Sequence, residues 1–183
     1  TALKKGLIVD NSMGYSPLEG LMSSTRSGSI DPIAAGVLKH ELQLSSEQLV
    51  EYLNLHAGLL GVSGVSGDIR ELLEAESSQP AAKLALEMYV SRIQQTIGHM
   101  VAVLGGVDML VFTGTVGERS AIIRRRIITK MNYLHLSIDP DRNVDTSFKT
   151  DVTVISPAYA TRPVLVVQCD ETAEIARIAQ SFK

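Results

Sequence analysis

One cysteine, no tryptophan, five tyrosines and three phenylalanines are all that 183 residues contain of those types. The single thiol, Cys169, cannot close an internal disulfide, so the expected compartment is reducing and cytoplasmic. One thiol and four scattered histidines give no zinc pattern. So few aromatics make neither a base-stacking platform nor a sugar-binding face. Neither sign of charge is in large excess. Seventeen Lys and Arg against twenty Asp and Glu leave a net charge of −3, which marks no nucleic-acid or anionic-membrane binder. The longest apolar stretch, residues 100–112, is cut by Gly105, Gly106 and Asp108 and is too short to span a bilayer. No signal-peptide pattern is present.

Apolar residues make up 45% and charged residues 20%, the balance of a globular domain that buries a core without disulfide staples. The chain opens at Thr1 and reads as strand almost at once, as expected of a piece of a longer protein or of a trimmed chain. Residues 6–10 (GLIVD) predict a strand. Residues 11–32, rich in Ser, Thr, Gly and Pro, predict a structured loop, where functional side chains often sit. Asp31-Pro32 starts a helix to about Glu41, and Ser45 or Ser46 caps the next, with the stripe Leu49, Val50, Leu53. Residues 58–68 (GLLGVSGVSGD) read as a glycine-rich turn whose Gly58, Gly61, Gly64 and Gly67 allow positive φ and let a ligand approach the backbone, with Asp68 capping a short helix to Glu76. Pro80 opens the longest helix, to about Leu104. Its stripe Leu86, Val90, Ile93, Ile97, Val101, Leu104 follows the helical period. Strands are expected at 109–112, 152–155 and 164–167, helices at 120–131 and 170–182, and a polar connection at 137–150. This alternation predicts an α/β fold with several helices packed on a mixed sheet.

Three junctions carry groups suited to a nucleotide, and each has an ordinary structural reading beside the functional one. Asp68 and Arg70 follow the glycine-rich segment. They can contact ribose, base or phosphate, or Asp68 can simply cap its helix. Gly114-Thr115-Val116-Gly117 follows a strand and can cradle phosphate or form a plain βα turn. It is neither a P-loop nor a dinucleotide fingerprint. Asp170 and Glu171 follow a buried strand. They can hold Mg²⁺ beside substrate phosphates, or favour a helix N-terminus electrostatically. Arg26, among small residues in STRSGS, can fork onto a phosphoryl group or lie solvated in its loop. Arg124, Arg125 and Arg126 are expected on an exposed helix face. His40, His56, His99 and His135 have no visible acid partner, and Cys169 reads as a small core residue.

Taken together, these segments resemble the acetate and propionate kinase family. Residues 10–22 (DNSMGYSPLEGLM) look like its D-T-S-M-G-[FY]-T-P-L-E-G-L segment, and 25–32 (TRSGSIDP) match its T-R-[CS]-G-[DS]-[IL]-D-P. Residues 58–70 (GLLGVSGVSGDIR) match its S-G-[LV]-L-G-[IV]-S-G-[LV]-S-x-D-x-R, while 105–113 and 171–177 resemble its G-x-D-x-[IV]-V-F-T and E-E-L-x-I-A-R. The resemblance covers nearly the whole chain. It implies an RNase H-like domain of the actin and sugar-kinase superfamily, here incomplete. It further implies ATP/ADP and Mg²⁺ as cofactors, a short acyl substrate (acetate or propionate) and a homodimer. Residues 1–170 would be the C-terminal nucleotide-binding and dimerisation domain, lacking its first strands. Residues 171–183 would form a terminal helix that packs toward an N-terminal domain. Arg26 falls at the family's catalytic arginine. Gly61, Gly64, Asp68, Ile69 and Arg70, with Gly114, Thr115, Val116 and Gly117, fall at its nucleotide contacts, and Glu171 at its magnesium-associated glutamate.

The family's A-G-I-G-E-N reads Gly114-Thr115-Val116-Gly117-Glu118-Arg119 here, Asn11 stands for its threonine, and N-E-E reads Asp170-Glu171-Thr172. Thr115 would resist a positive φ that glycine accepts. Two alternatives stay open: a catalytically degenerate nucleotide-binding or dimerising module, and a propionate or butyrate kinase.

Overall fold

A computed structural model describes residues 1–144 and 151–182. Residues 145–150 of the connection expected at 137–150 lie outside the described residues. The chain divides into two compact units, Thr1–Gly106 and Val107–Lys183.

The first unit begins with a hairpin of β1 (Ala2–Lys4) and β2 (Leu7–Asp10), closed by Lys5 and Gly6, both with positive φ. That backbone suits the twist of a two-residue hairpin turn. Residues 11–31 form no helix or strand, as expected of a structured loop. Helix α1 (Pro32–Glu41) starts where Asp31 accepts the Ile33 N–H, with proline in its first turn. Helix α2 (Ser46–Leu55) starts in a reciprocal capping box between Ser45 and Gln48. Of its predicted stripe only Leu53 is buried. Val50 is exposed.

The glycine-rich segment corrects the sequence reading. Its first half is helix α3 (Gly58–Ser63), ended by Gly64 in the left-handed region. Helix α4 (Ile69–Ala75) follows the Asp68 cap, and α5 (Pro80–Leu104) runs 25 residues to a left-handed Gly105. α5 packs on α3, α4 and β1. Its N-terminal half makes the core, because Ala82, Ala85, Leu86 and Val90 are buried against Leu59, Ile69 and Leu72. The stripe positions beyond Val90 are only partly covered, and Met100 is buried instead.

The second unit holds a three-stranded mixed sheet. β3 (Leu110–Phe112) lies parallel to the central β5 (Val164–Val167), which pairs antiparallel with β4 (Val152–Val154). β5 alternates buried and half-buried residues, the period of a strand. Between β3 and β4 come α6 (Gly114–Arg119), α7 (Ala121–Ile128), a 3₁₀ turn (Asn132–Leu134) and α8 (Pro140–Val144). The segment read as a Gly-x-x-Gly turn is therefore itself a short helix. Helix α9 (Glu171–Gln180) starts at the Asp170 cap, whose carboxylate accepts the Ala173 N–H. Ile123, Ile127, Leu136, Ile155, Val164 and Val166 form the core here. The described residues thus make a mixed α/β fold of nine α-helices and two small sheets.

Candidate functional site

In the first unit the Arg26 loop is held by its backbone. Leu59 and Leu60 at the start of α3 donate to Ser23 O and Ser24 O, each at 2.9 Å. Ser27 N–H reaches Leu53 O at the end of α2, and Ala57 N–H reaches Thr25 O, both at 3.0 Å. The loop closes on itself through Ser23 N–H to Arg26 O at 3.1 Å. The Leu59 and Leu60 N–H groups are thereby spent on the loop.

Gly58 explains why the sequence places glycine here. Its φ is +61°, and a Cβ would stand 2.3 Å from Ser23 O and 2.7 Å from Arg26 O. Gly67 faces Ser24 O in the same way, at 2.8 Å. These glycines admit the Arg26 loop rather than a ligand, which corrects the reading of their role. Gly61 lies inside α3 and Gly64 caps it, with open space around the Gly64 Cβ direction. Arg26 itself is exposed, and its guanidinium has no hydrogen bond or ion pair among the described residues. The backbone is fixed while the side chain extends from it without a partner among the described residues.

Asp68 does two things. Its Oδ1 accepts the Arg70 N–H at 2.8 Å as helix cap, and its carboxylate takes the Arg70 guanidinium through Nε at 3.1 Å and Nη2 at 2.5 Å. The Arg70 guanidinium holds the Asp68 carboxyl down to about 2, and the carboxylate in turn raises Arg70. Arg70 keeps 85% of its side chain exposed, so the face of the guanidinium stays available for stacking. Ile69 is buried in the core beside them.

In the second unit Glu118 is the group the sequence reading missed. It is 8% exposed, and its Oε1 accepts both the Gly114 N–H at 2.9 Å and the Cys169 N–H at 3.1 Å. The glycine segment is thereby tied to the segment that leads into Glu171. Only Gly114 of this segment has positive φ. Thr115 lies in helical backbone, so its departure from the family pattern carries no φ penalty.

Arg124 corrects a second expectation, since it is fully buried. Nη1 donates to Gly117 O at 2.8 Å and Glu118 O at 2.6 Å, Nε to Asn143 Oδ1 at 2.8 Å and Nη2 to Asn143 O at 2.6 Å. Burial pushes the Arg124 pKa down. Arg125 is exposed, as expected of this face. The four acceptors come from chain positions no sequence period announces. Cys169 is exposed, not a core residue.

Glu171 is exposed, and its carboxylate has no partner among the described residues. Those residues contain no group of three His, Cys, Asp or Glu able to cage a metal. A magnesium ion that keeps waters and substrate phosphates needs only one or two carboxylates, so Glu171 fits that mode. His99, expected to lack an acid, has one: Nε2 stands 2.8 Å from Asp10 Oδ2, across 89 residues of sequence. This contact lowers the Asp10 pKa. Both facts stayed hidden in the sequence because only the packing of α5 on the hairpin brings them together. No helix of the described residues is long and apolar enough to cross a membrane.

The acetokinase family model matches residues 1–177. An acetate kinase of Rippkaea orientalis is 42% identical over 177 residues, covering 96% of this chain and 43% of that protein. Acetate kinase 1 of Lactococcus lactis is 39% identical over 185 residues, covering 100% of this chain and 46% of its own length. The crystal structure of Porphyromonas gingivalis acetate kinase superposes with a TM-score of 0.88 at 38% identity, over 98% of this chain and 45% of that one. A propionate kinase from Francisella tularensis gives 0.85 at 34%, over 97% and 44%. The chain spans less than half the length of these relatives. A family model matched over nearly every residue, relatives near 40% identity and the same backbone lead to one conclusion: the chain belongs to the acetokinase family, a family of phosphotransferases.

Proposed function

We propose that this chain is the C-terminal, nucleotide-binding and dimerising part of a cytoplasmic acetate kinase with an RNase H-like architecture. The reaction is reversible: a carboxylate oxygen of acetate bonds to the γ-phosphorus of ATP as the bond from that phosphorus to the ADP oxygen breaks. Acetyl phosphate and ADP result. The reading is carried by family similarity over nearly the whole chain. The Arg26 loop supplies its chemistry.

Phosphoryl transfer asks mainly for positioning and for neutralisation of spread negative charge. Arg26 does the second: its guanidinium, unpaired on a backbone held at both sides, forks onto the oxygens of the transferring group. Asp68, Ile69 and Arg70, with Gly61 and Gly64, hold the adenosine, Arg70 by its open face. In the second unit Gly114, Thr115, Val116 and Gly117 hold the nucleotide, and Glu171 would hold Mg²⁺. When bound, the ion supplies positive charge to the polyphosphate.

Calorimetric titration of the chain with Mg-ADP, and trapping of acyl phosphate with hydroxylamine, test the reading. Nucleotide heat is expected from this chain, and steady acyl hydroxamate only from the chain joined to an N-terminal half. Absence of heat from both forms would favour a degenerate module. The propionate kinase fold match keeps propionate as the second acyl substrate to assay.

A further inference from the structure

We infer that Glu118 is a positioning residue: one buried carboxylate oxygen holds the glycine segment and the Glu171 segment together in the arrangement that receives the nucleotide. This rests on the nucleotide reading of those two segments. The geometry is specific. Gly114 opens the segment after β3, Cys169 ends the stretch after β5, and 51 residues separate Glu118 from Cys169. Strand pairing of β3 with β5 ends at Phe112 and Val166, so it does not reach either N–H. Beyond that point the two segments share the Glu118 Oε1.

Its backbone is pinned too. Arg124 donates to Gly117 O and Glu118 O from beneath, which fixes where the Glu118 side chain starts. A carboxylate oxygen can take two N–H donors at once, and charge makes each bond stronger than a neutral one. Glu118 donates nothing and spends its Oε1 on backbone, so its role is reach and acceptance rather than contact with the reacting atoms.

Three variants separate reach from charge. Glu118→Gln keeps the length and an acceptor oxygen but drops the charge. Glu118→Asp keeps the charge but is one methylene short of spanning both N–H groups. Glu118→Ala loses both. The readouts are amide hydrogen exchange at Gly114 and Cys169 by NMR, and Mg-ADP affinity by calorimetry, with far-UV circular dichroism to check folding.

The Asp and Ala variants are expected to exchange both amides roughly tenfold faster and to bind Mg-ADP roughly tenfold more weakly, the worth of one lost hydrogen bond to a charged group. The Gln variant keeps both bonds in weaker, neutral form and is expected between the parent and the Asp variant in both, roughly threefold to fivefold from the parent. Should the Ala variant not fold, the Asp and Gln pair decides alone. An Asp variant with parental affinity overturns the inference. So does a Gln variant that loses affinity while both amides stay protected, since charge would then be the active property. A parent chain that binds no Mg-ADP refutes the nucleotide reading first, and the inference with it.

Discussion

Replacing Arg124 by methionine keeps the buried volume and removes every donor. Four acceptors then lose their partner: Gly117 O, Glu118 O, Asn143 O and Asn143 Oδ1. Each hydrogen bond from a charged group is worth about 1.5–3 kcal/mol. The full sum overstates the loss, because the guanidinium no longer has to be desolvated and water reaches some of the carbonyls. We therefore expect about 3–5 kcal/mol, among the larger single-residue effects. For a chain of this size that lowers Tm by about 10 °C. Arg124→Lys, whose compact ammonium cannot span four acceptors, should recover roughly half. Arg125→Ala, on the exposed face, should stay within about 0.5 kcal/mol. With no tryptophan in the sequence, calorimetry and far-UV circular dichroism are the assays. A methionine variant that loses less than about 1 kcal/mol, or an Arg125 variant that loses as much, would refute the reasoning.

Gly58→Ala forces a Cβ onto two backbone carbonyls of the Arg26 loop at positive φ, and should cost about 3 kcal/mol or more in urea unfolding. Gly64→Ala shares the positive φ but meets open space, and should cost only about 1 kcal/mol. In a carboxyl NMR titration Asp68 should titrate near 2 and move up toward 3.8 in Arg70→Ala. Asp10 should titrate below 3.8 and move up toward it in His99→Ala. Because its folded pKa is lowered, the stability that Asp10 contributes is present above 3.8 and lost as pH falls through the folded value. In the variant that acid-limb contribution should shrink. Leu86→Ala, in the buried N-terminal half of α5, should cost about 2–5 kcal/mol.

Local physics made much of the fold legible. Asp31-Pro32 and Ser45 mark helix starts because a cap needs only a neighbouring side chain, and Pro80 to Leu104 reads as helix because its apolar period is written in consecutive turns. The Arg26 and Asp68-Arg70 motifs were readable as candidates for the same reason: they are contiguous strings. Gly58 and Gly67 are ambiguous in sequence because glycine signals freedom equally for a ligand and for a neighbouring backbone. Only the packed loop distinguishes the two.

By itself, then, the sequence determined the family, the alternation of helix and strand, and the contiguous motifs, since each depends on residues near one another in the chain. The tertiary structure alone decided that Arg124 is buried, that Glu118 bridges two segments and that Asp10 meets His99. Those outcomes depend on which backbone and side-chain groups, apart in the chain, meet once it is folded, and no local period or composition records that.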